Sequence, residues 1–120
     1  MYDKIRRRSE DEAEAIRRLT EIIRILRSPR GCPWDREQTH ESLIRGMIEE
    51  AYEVVEAIET ENTDNLKEEL GDVLLQIVMH ARIAEENRMF TLVDIADGVS
   101  EKMIRRHPHV FDEKIAETPQ

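Results

Sequence analysis

The stretch of sequence that decides the fold spans residues 66–84 and reads LKEELGDVLLQIVMHARIA. Its apolar residues recur three and four positions apart, which is the spacing of one face of an α-helix. The members of this face are Leu66, Leu70, Val73, Leu74, Ile77, Val78, Ala81 and Ala84. Leu75, Met79 and Ile83 form a second apolar strip. A helix that is apolar on two sides is covered on both, so we expect a partner subunit to cover the second strip.

Three other segments of the chain have the same helical period. The four predicted helices cover residues 10–27, 39–59 or 42–59 (with Thr39 or Ser42 as the N-cap), 64–87 and 91–107. Asp64 is the predicted N-cap of the third helix, and Thr91 with Asp94 has the spacing of a capping box for the fourth. The segment 32–38 has no period and is predicted to be a loop. Because no segment alternates with period two, we expect an all-α fold with four helices in a bundle and an N-terminal extension.

Length, charge and hydropathy exclude several classes of protein. The 120 residues fit one domain, which we divide into a flexible lead-in (1–9), a helical domain (10–111) and a polar tail (112–120). The net charge of −9 argues against a nucleic-acid polymer as partner. The longest apolar stretch, 73–79, is interrupted by Gln76 and is too short to span a membrane. No apolar segment follows the basic N-terminus, and the single Cys32 cannot form an internal disulfide, so we expect a cytoplasmic protein.

Two pairs of carboxylates occupy matching positions on the second and third predicted helices. Glu50 and Glu53 form one pair, Glu69 and Asp72 form the other, and residues three apart share a helix face. Both pairs border the apolar face, and they would converge if the two helices pack antiparallel. Such pairs are common on solvated surfaces, so a surface role is the alternative. If they do converge, a hard divalent cation such as Mg²⁺ or Mn²⁺ is the natural counter-charge.

The same acids carry a resemblance to a known family. Glu49-Glu50-x-x-Glu53 followed by Glu69-x-x-Asp72 resembles the signature of the all-α nucleoside triphosphate pyrophosphohydrolases. Three blocks are similar to those of the MazG family in particular: GCPWDREQTH at 31–40, ELGDVLLQ at 69–76 and RRHPHVF at 105–111. The resemblance extends from about residue 16 to residue 111, which is most of the chain.

The resemblance implies an enzyme of a definite kind. The expected activity is Mg²⁺-dependent hydrolysis of ribose or deoxyribose nucleoside triphosphates, including non-standard ones, to the monophosphate and pyrophosphate. The expected assembly is a homodimer of helical bundles or a larger one. Glu50, Glu53, Glu69 and Asp72 match the metal-binding carboxylates, and Glu49 matches the first acid of the signature. Glu49, Glu50 and Glu53 are the candidate catalytic residues, with Glu50 or Glu53 orienting the attacking water.

Five further residues are candidates for substrate binding. Lys102, Arg105 and Arg106 could clamp the triphosphate, although cations at the end of a helix also favour its dipole. Trp34 could stack on the base or serve as a core anchor. Asp35 could accept a hydrogen bond from the base or fix its loop.

Two other classes of function compete with hydrolysis. One is a non-catalytic helical module that binds nucleotides or a partner protein and retains the acids. The other is a di-iron carboxylate protein, which normally has Glu-x-x-His pairs on two helices, whereas this chain has only Glu37-x-x-His40, in a predicted loop.

Overall fold

The structure is a computed structural model, and it describes residues 1–112. Its helices are α1 (Asp3–Arg6), α2 (Glu12–Leu26), α3 (Pro33–Arg36), α4 (Ile44–Glu59), α5 (Thr63–Glu86), α6 (Leu92–Arg106) and α7 (Pro108–Phe111). These residues contain no strand, so the prediction of an all-α fold is confirmed. None of the described helices combines the length and the apolar character that crossing a membrane requires. The predicted polar tail lies outside the described residues except for Asp112.

The four long helices begin and end close to the predicted positions. α6 has the predicted capping box, in which the backbone N–H of Thr91 donates to Asp94 Oδ2 at 2.9 Å. α5 is capped differently from the prediction, because Asn62 rather than Asp64 accepts a hydrogen bond from the backbone N–H of Asn65 at 3.1 Å. α5 therefore starts one residue before Asp64, which lies in its first turn and favours the positive end of the helix dipole.

Three one-turn helices occur where the sequence predicted none. α3 and α7 each begin with a proline, Pro33 and Pro108, whose fixed φ suits the first position of a helix. α1 lies within the lead-in that we expected to be flexible. Arg18 of α2 holds this turn by donating from Nε to the carbonyl oxygen of Ile5 at 2.5 Å. A single turn is too short to show a helical period, which explains why the pattern missed all three.

α4 and α5 form an antiparallel hairpin, and α2 also packs against α5. The hairpin turns through residues 60–62, where Glu61 adopts a left-handed conformation with φ of 53°. The core joins α2 to α5 through Ile23, Val78 and Met79, and five partly buried leucines pack around them. These leucines are Leu19, Leu26, Leu43, Leu74 and Leu75.

The second apolar strip of α5 is covered within the chain, contrary to our expectation of a partner subunit there. Met79 and Ile83 are 5% and 4% exposed, and Met79 belongs to the core shared with α2. A large exposed apolar surface lies instead on the face of α4 that points away from α5. Its members, Ile44, Ile48, Tyr52, Val55 and Ile58, are each at least 48% exposed. We call these five residues the α4 stripe.

Gly31 allows the chain to turn back against the end of α2. A Cβ atom at this position would overlap the carbonyl oxygens of Ile25 and Leu26. The next residue, Cys32, donates its backbone N–H to the Leu26 carbonyl at 2.8 Å. The close approach fixes the start of the 32–43 segment relative to the core.

We predict that Gly31→Ala destabilises the protein by about 1–3 kcal/mol, because the new methyl group forces backbone atoms apart. Gly98→Ala is the matched control, since a Cβ on Gly98 in α6 meets no atom within 4 Å. The control variant should be more stable by about 0.5–1 kcal/mol, the gain from replacing glycine inside a helix. Urea unfolding followed by circular dichroism measures both. Equal stabilities of Gly31→Ala and the wild type would contradict the steric argument.

Candidate metal centre

The α4–α5 hairpin sets two polar helix faces against each other in a definite register. Gly46 of α4 faces Gln76 of α5, since a Cβ on Gly46 would lie 3.0 Å from Gln76 Nε2. One turn further along α4 and one turn back along α5, Glu50 comes opposite Glu69 and Asp72. Carboxylates that are 19 and 22 residues apart in sequence are thus brought to one place by antiparallel packing.

Glu50, Glu69 and Asp72 form the group of acids that we call the carboxylate cluster. Each offers one oxygen, and these three oxygens lie within 4.8 Å of one another. All three residues are partly buried. None of the ion pairs found in residues 1–112 involves any of them. The cluster therefore concentrates negative charge without a protein cation to balance it.

The cluster perturbs the pKa of Glu69. A hydrogen bond with the Glu50 carboxyl, partial burial and repulsion from Glu50, Asp72 and Glu68 together raise the pKa of Glu69 to about 7. The donor in this hydrogen bond is a protonated carboxyl group, and the raised pKa assigns the proton to Glu69. Near neutral pH the cluster thus retains a proton that an isolated glutamate would release.

Two buried side-chain oxygens, one on α4 and one on α5, lack hydrogen-bond partners within residues 1–112. They are Glu50 Oε2 and Gln76 Oε1. A buried acceptor without a donor costs about 1–3 kcal/mol, so native proteins usually satisfy such atoms with water or an ion.

These observations test whether the cluster fits a divalent cation. The donor set consists of oxygen atoms only, which Mg²⁺ and Mn²⁺ prefer, and it contains no His or Cys of the kind that zinc selects. Small side-chain rotations bring oxygens 4.8 Å apart onto one cation with bonds of about 2.1 Å. The cation would replace the proton on Glu69 and would balance the negative charge of the three carboxylates. The residues present therefore fit a hard divalent cation.

Two other predicted acids lie outside the cluster. Glu53 is exposed and is not among the three residues whose oxygens converge, so the structure brings together three of the four predicted ligands. Glu49 is also exposed. On α4, Glu53 follows Gly46 by seven residues and therefore lies on the side of the helix that faces α5, but its carboxylate is exposed.

Trp34 and Asp35 lie at the opposite end of α5 from the carboxylate cluster. The Arg27 guanidinium donates to the carbonyl oxygens of Asp35 at 2.6 Å and Gln38 at 3.1 Å, and it also binds Glu86 through two hydrogen bonds of 2.9 and 3.0 Å. Glu86 is about 21 Å from Asp72 along the axis of α5. Trp34 is 74% exposed, so it is not a core anchor.

Arg27 is a structural residue that the sequence did not reveal. Its side chain is only 7% exposed, and its hydrogen bond lowers the pKa of Glu86. In the sequence, Arg27 looks like an ordinary basic residue at the end of a helix. Its burial depends on a contact between residues 59 positions apart, which no local pattern encodes.

His40 and His80 form a second contact that ties the same segment to α5. Their Nδ1 atoms are 2.7 Å apart, and their rings stack with an interplanar angle of 2°. Burial and the nearby His40 lower the pKa of His80. One Nδ1 must donate and the other accept, so this contact requires at least one uncharged ring, in agreement with the lowered pKa of His80.

The predicted phosphate clamp also lies apart from the cluster within one chain. Lys102, Arg105 and Arg106 are exposed in the last two turns of α6. Within the described residues α6 contacts α5 and α7 but has no contact with α4, the helix that carries Glu50.

Comparison with known families matches this fold and these acids to one family. Residues 38–111 match the MazG nucleotide pyrophosphohydrolase domain, which is more than half of the chain. The chain therefore belongs to the MazG nucleotide pyrophosphohydrolase domain family, and the predicted resemblance is confirmed.

Named relatives agree with this assignment. The chain is 62% identical over 90 residues to the uncharacterized protein YabN of Bacillus subtilis. It is 60% identical over 93 residues to a nucleoside triphosphate pyrophosphohydrolase/pyrophosphatase MazG of Thermotoga maritima, and 48% identical over 103 residues to a nucleoside triphosphate pyrophosphohydrolase of Escherichia coli. These matches cover 75%, 78% and 85% of this chain but only 18%, 36% and 39% of the relatives. The chain thus corresponds to a part of each longer relative.

The raised pKa of Glu69 predicts how stability depends on pH without a divalent cation. Unfolding returns the pKa from about 7 to 4.5, so between these values the folded state binds more protons than the unfolded state. The Glu69 contribution to the free energy of unfolding therefore decreases as pH rises from 4.5 to about 7 and changes little above that. Glu69→Gln should remove this contribution.

Urea unfolding in EDTA across this pH range provides the measurement. As the pH rises, the free energy of unfolding of Glu69→Gln should increase relative to that of the wild type. Glu59→Gln, at the exposed end of α4, is the control and should run parallel to the wild type. Parallel curves for Glu69→Gln and the wild type would show that Glu69 does not hold the proton.

Proposed function

We propose that this protein hydrolyses nucleoside triphosphates to the monophosphate and pyrophosphate with the help of Mg²⁺ or Mn²⁺. The observation that carries the proposal is the convergence of Glu50, Glu69 and Asp72 on facing helices in a member of the MazG family. Several longer relatives carry the name nucleoside triphosphate pyrophosphohydrolase, which supports the same activity for this chain.

The reaction breaks one phosphoanhydride bond. A water oxygen attacks the α-phosphorus, the bond from that phosphorus to the bridging oxygen breaks, and pyrophosphate leaves with the bonding electron pair. The attacking water must also lose a proton. A bound divalent cation supplies charge neutralisation at the phosphate oxygens and makes water more acidic.

The carboxylates of the chain have two tasks in this proposal. Glu50, Glu69 and Asp72 hold the cation through their oxygens, with Glu53 as an additional ligand once nucleotide is bound. Glu50 or Glu53 orients the attacking water and takes its proton, and Glu49 supports these acids. The raised pKa of Glu69 supports these tasks, because acids that crowd together strongly are typical of functional sites.

The substrate-binding residues are proposed to act at the two ends of the nucleotide. Trp34 and Asp35 contact the base, and the exposed Trp34 side chain offers a stacking surface. Lys102, Arg105 and Arg106 bind the triphosphate through charge-assisted hydrogen bonds. Neither group contacts the carboxylate cluster of its own chain, so we propose that they act after assembly with a second copy.

We also propose that the protein is a homodimer in which a second copy covers the α4 stripe. Five large apolar side chains on one helix face are unusual on the surface of a monomer. The radius of gyration, 18.0 Å, also exceeds the roughly 14 Å of a compact domain of this length. α6 adds further exposed apolar residues: Val93, Val99, Met103 and Ile104. A single chain thus leaves much of its apolar surface unburied.

Loss of one cluster carboxylate should abolish most of the hydrolysis. We expect the wild type to release pyrophosphate from nucleoside triphosphates, and Asp72→Asn to lower kcat/KM by about 100-fold or more, because a neutral amide holds the cation less well. A panel of NTPs and dNTPs with Mg²⁺, assayed for pyrophosphate and for orthophosphate, measures this. Glu56→Gln changes the charge equally on an exposed part of α4 and should retain activity.

The same assay separates the alternatives. Orthophosphate without pyrophosphate would exclude attack at the α-phosphorus. Nucleotide binding without turnover would favour a non-catalytic module. Glu53→Gln tests the one predicted ligand that lies outside the cluster, and full activity of this variant would remove Glu53 from the proposed site.

Disrupting the α4 stripe should separate the dimer. We expect the double variant Ile48→Glu/Val55→Glu to be monomeric at micromolar concentration, because two buried carboxylates without partners would oppose association. Ile48→Leu/Val55→Leu keeps the stripe apolar and should remain dimeric. Size-exclusion chromatography with light scattering measures the mass of each. A monomeric wild type would contradict the proposed assembly.

A further inference from the structure

Gln76 is a partly buried residue of α5 that follows Asp72 by one helical turn. Residues four apart lie on the same face of a helix, so Gln76 extends the face that carries Glu69 and Asp72. Its carboxamide oxygen is buried, and nothing in residues 1–112 donates a hydrogen bond to it. Native proteins rarely leave such an acceptor unpaired, so this oxygen requires a donor that the described residues do not provide.

The opposite helix leaves room for this amide. A Cβ on Gly46 would lie 3.0 Å from Gln76 Nε2 and 3.5 Å from Gln76 Oε1, so the absence of a side chain at Gly46 lets the amide lie between α4 and α5. Gly46 precedes Glu50 by one turn, and Glu50 Oε2 is the other buried oxygen without a partner. Glu50 belongs to the carboxylate cluster and Gln76 lies one turn from Asp72, so the two unpaired acceptors lie on facing helices, one in the cluster and one beside it.

We propose that Gln76 is a positioning residue whose Oε1 accepts a hydrogen bond from a water molecule in the hydration shell of the cation held by the carboxylate cluster. The inference rests on the proposed function. Mg²⁺ usually keeps several of its waters in proteins, and these waters are hydrogen-bond donors. Gln76 is suited to receive one because its amide is neutral, so it orients a water without adding negative charge to three crowded carboxylates.

The test compares Mn²⁺ binding by variants of the full chain without nucleotide. Gln76→Met removes the acceptor and keeps a side chain of similar length. We expect its Mn²⁺ dissociation constant, measured from the electron paramagnetic resonance signal of free Mn²⁺, to rise about tenfold, as is typical when a residue supporting a metal site is lost. Gln76→Glu restores an oxygen at the same reach and should bind Mn²⁺ at least as tightly as the wild type.

Two further variants separate positioning from packing. Gln38→Met is the matched control, because the Gln38 amide already has partners in Trp34 and Ser42, so Mn²⁺ affinity should not change. Gly46→Ala should weaken Mn²⁺ binding less than Gln76→Met, because it displaces the amide rather than removing it. In steady-state assays Gln76→Met should lower kcat by a larger factor than it raises KM.

The outcomes distinguish this inference from the proposed function. Equal Mn²⁺ affinities of Gln76→Met and the wild type, or no recovery in Gln76→Glu, would overturn the role of Gln76. A wild type that binds no Mn²⁺ would overturn it as well. Failure of the wild type to release pyrophosphate would contradict the proposed function, while the Mn²⁺ comparison would still decide the role of Gln76.

Discussion

The antiparallel packing of α4 against α5 is the constraint on which the rest of the structure depends. Small residues at the contact, Gly46 and the fully buried Ala57, let the two helices approach closely. The same register places Glu50 opposite Glu69 and Asp72. α5 also packs against α2, and the face of α4 that points away from α5 remains exposed. One helix pair thus fixes the core, the carboxylate cluster and the apolar surface available for assembly.

The long helices could be predicted because they are amphipathic and have several turns. Period and caps together located α2, α4, α5 and α6 to within a few residues. The N-cap of α5 was misplaced because Asn62 and Asp64 are both good capping residues, and only the backbone conformation decides between them. The one-turn helices α1, α3 and α7 were missed because four residues cannot show a period of 3.6.

The carboxylate cluster was predicted more closely than its surroundings. Helical spacing indicated which acids share a face, but it does not fix the side-chain conformation, and the exposed Glu53 carboxylate lies outside the cluster. The Arg27 contacts and the His40–His80 pair could not be predicted, because each joins distant parts of the chain through side chains alone. The partner of the second α5 strip was also misjudged, since the sequence does not tell whether α2 or another subunit covers it.

The proton retained by Glu69 has a consequence for how the cluster responds to its surroundings. In the proposed role, a divalent cation that binds the cluster displaces the proton that the raised pKa of Glu69 retains. Protons and cations are therefore competitors for the same oxygens. A fall in pH would therefore weaken cation binding to the cluster, as a lower cation concentration would. A rise in pH would strengthen it, as a higher cation concentration would. Since the pKa of Glu69 is raised to about 7, a cation held there as proposed would bind less tightly as the pH falls through neutrality.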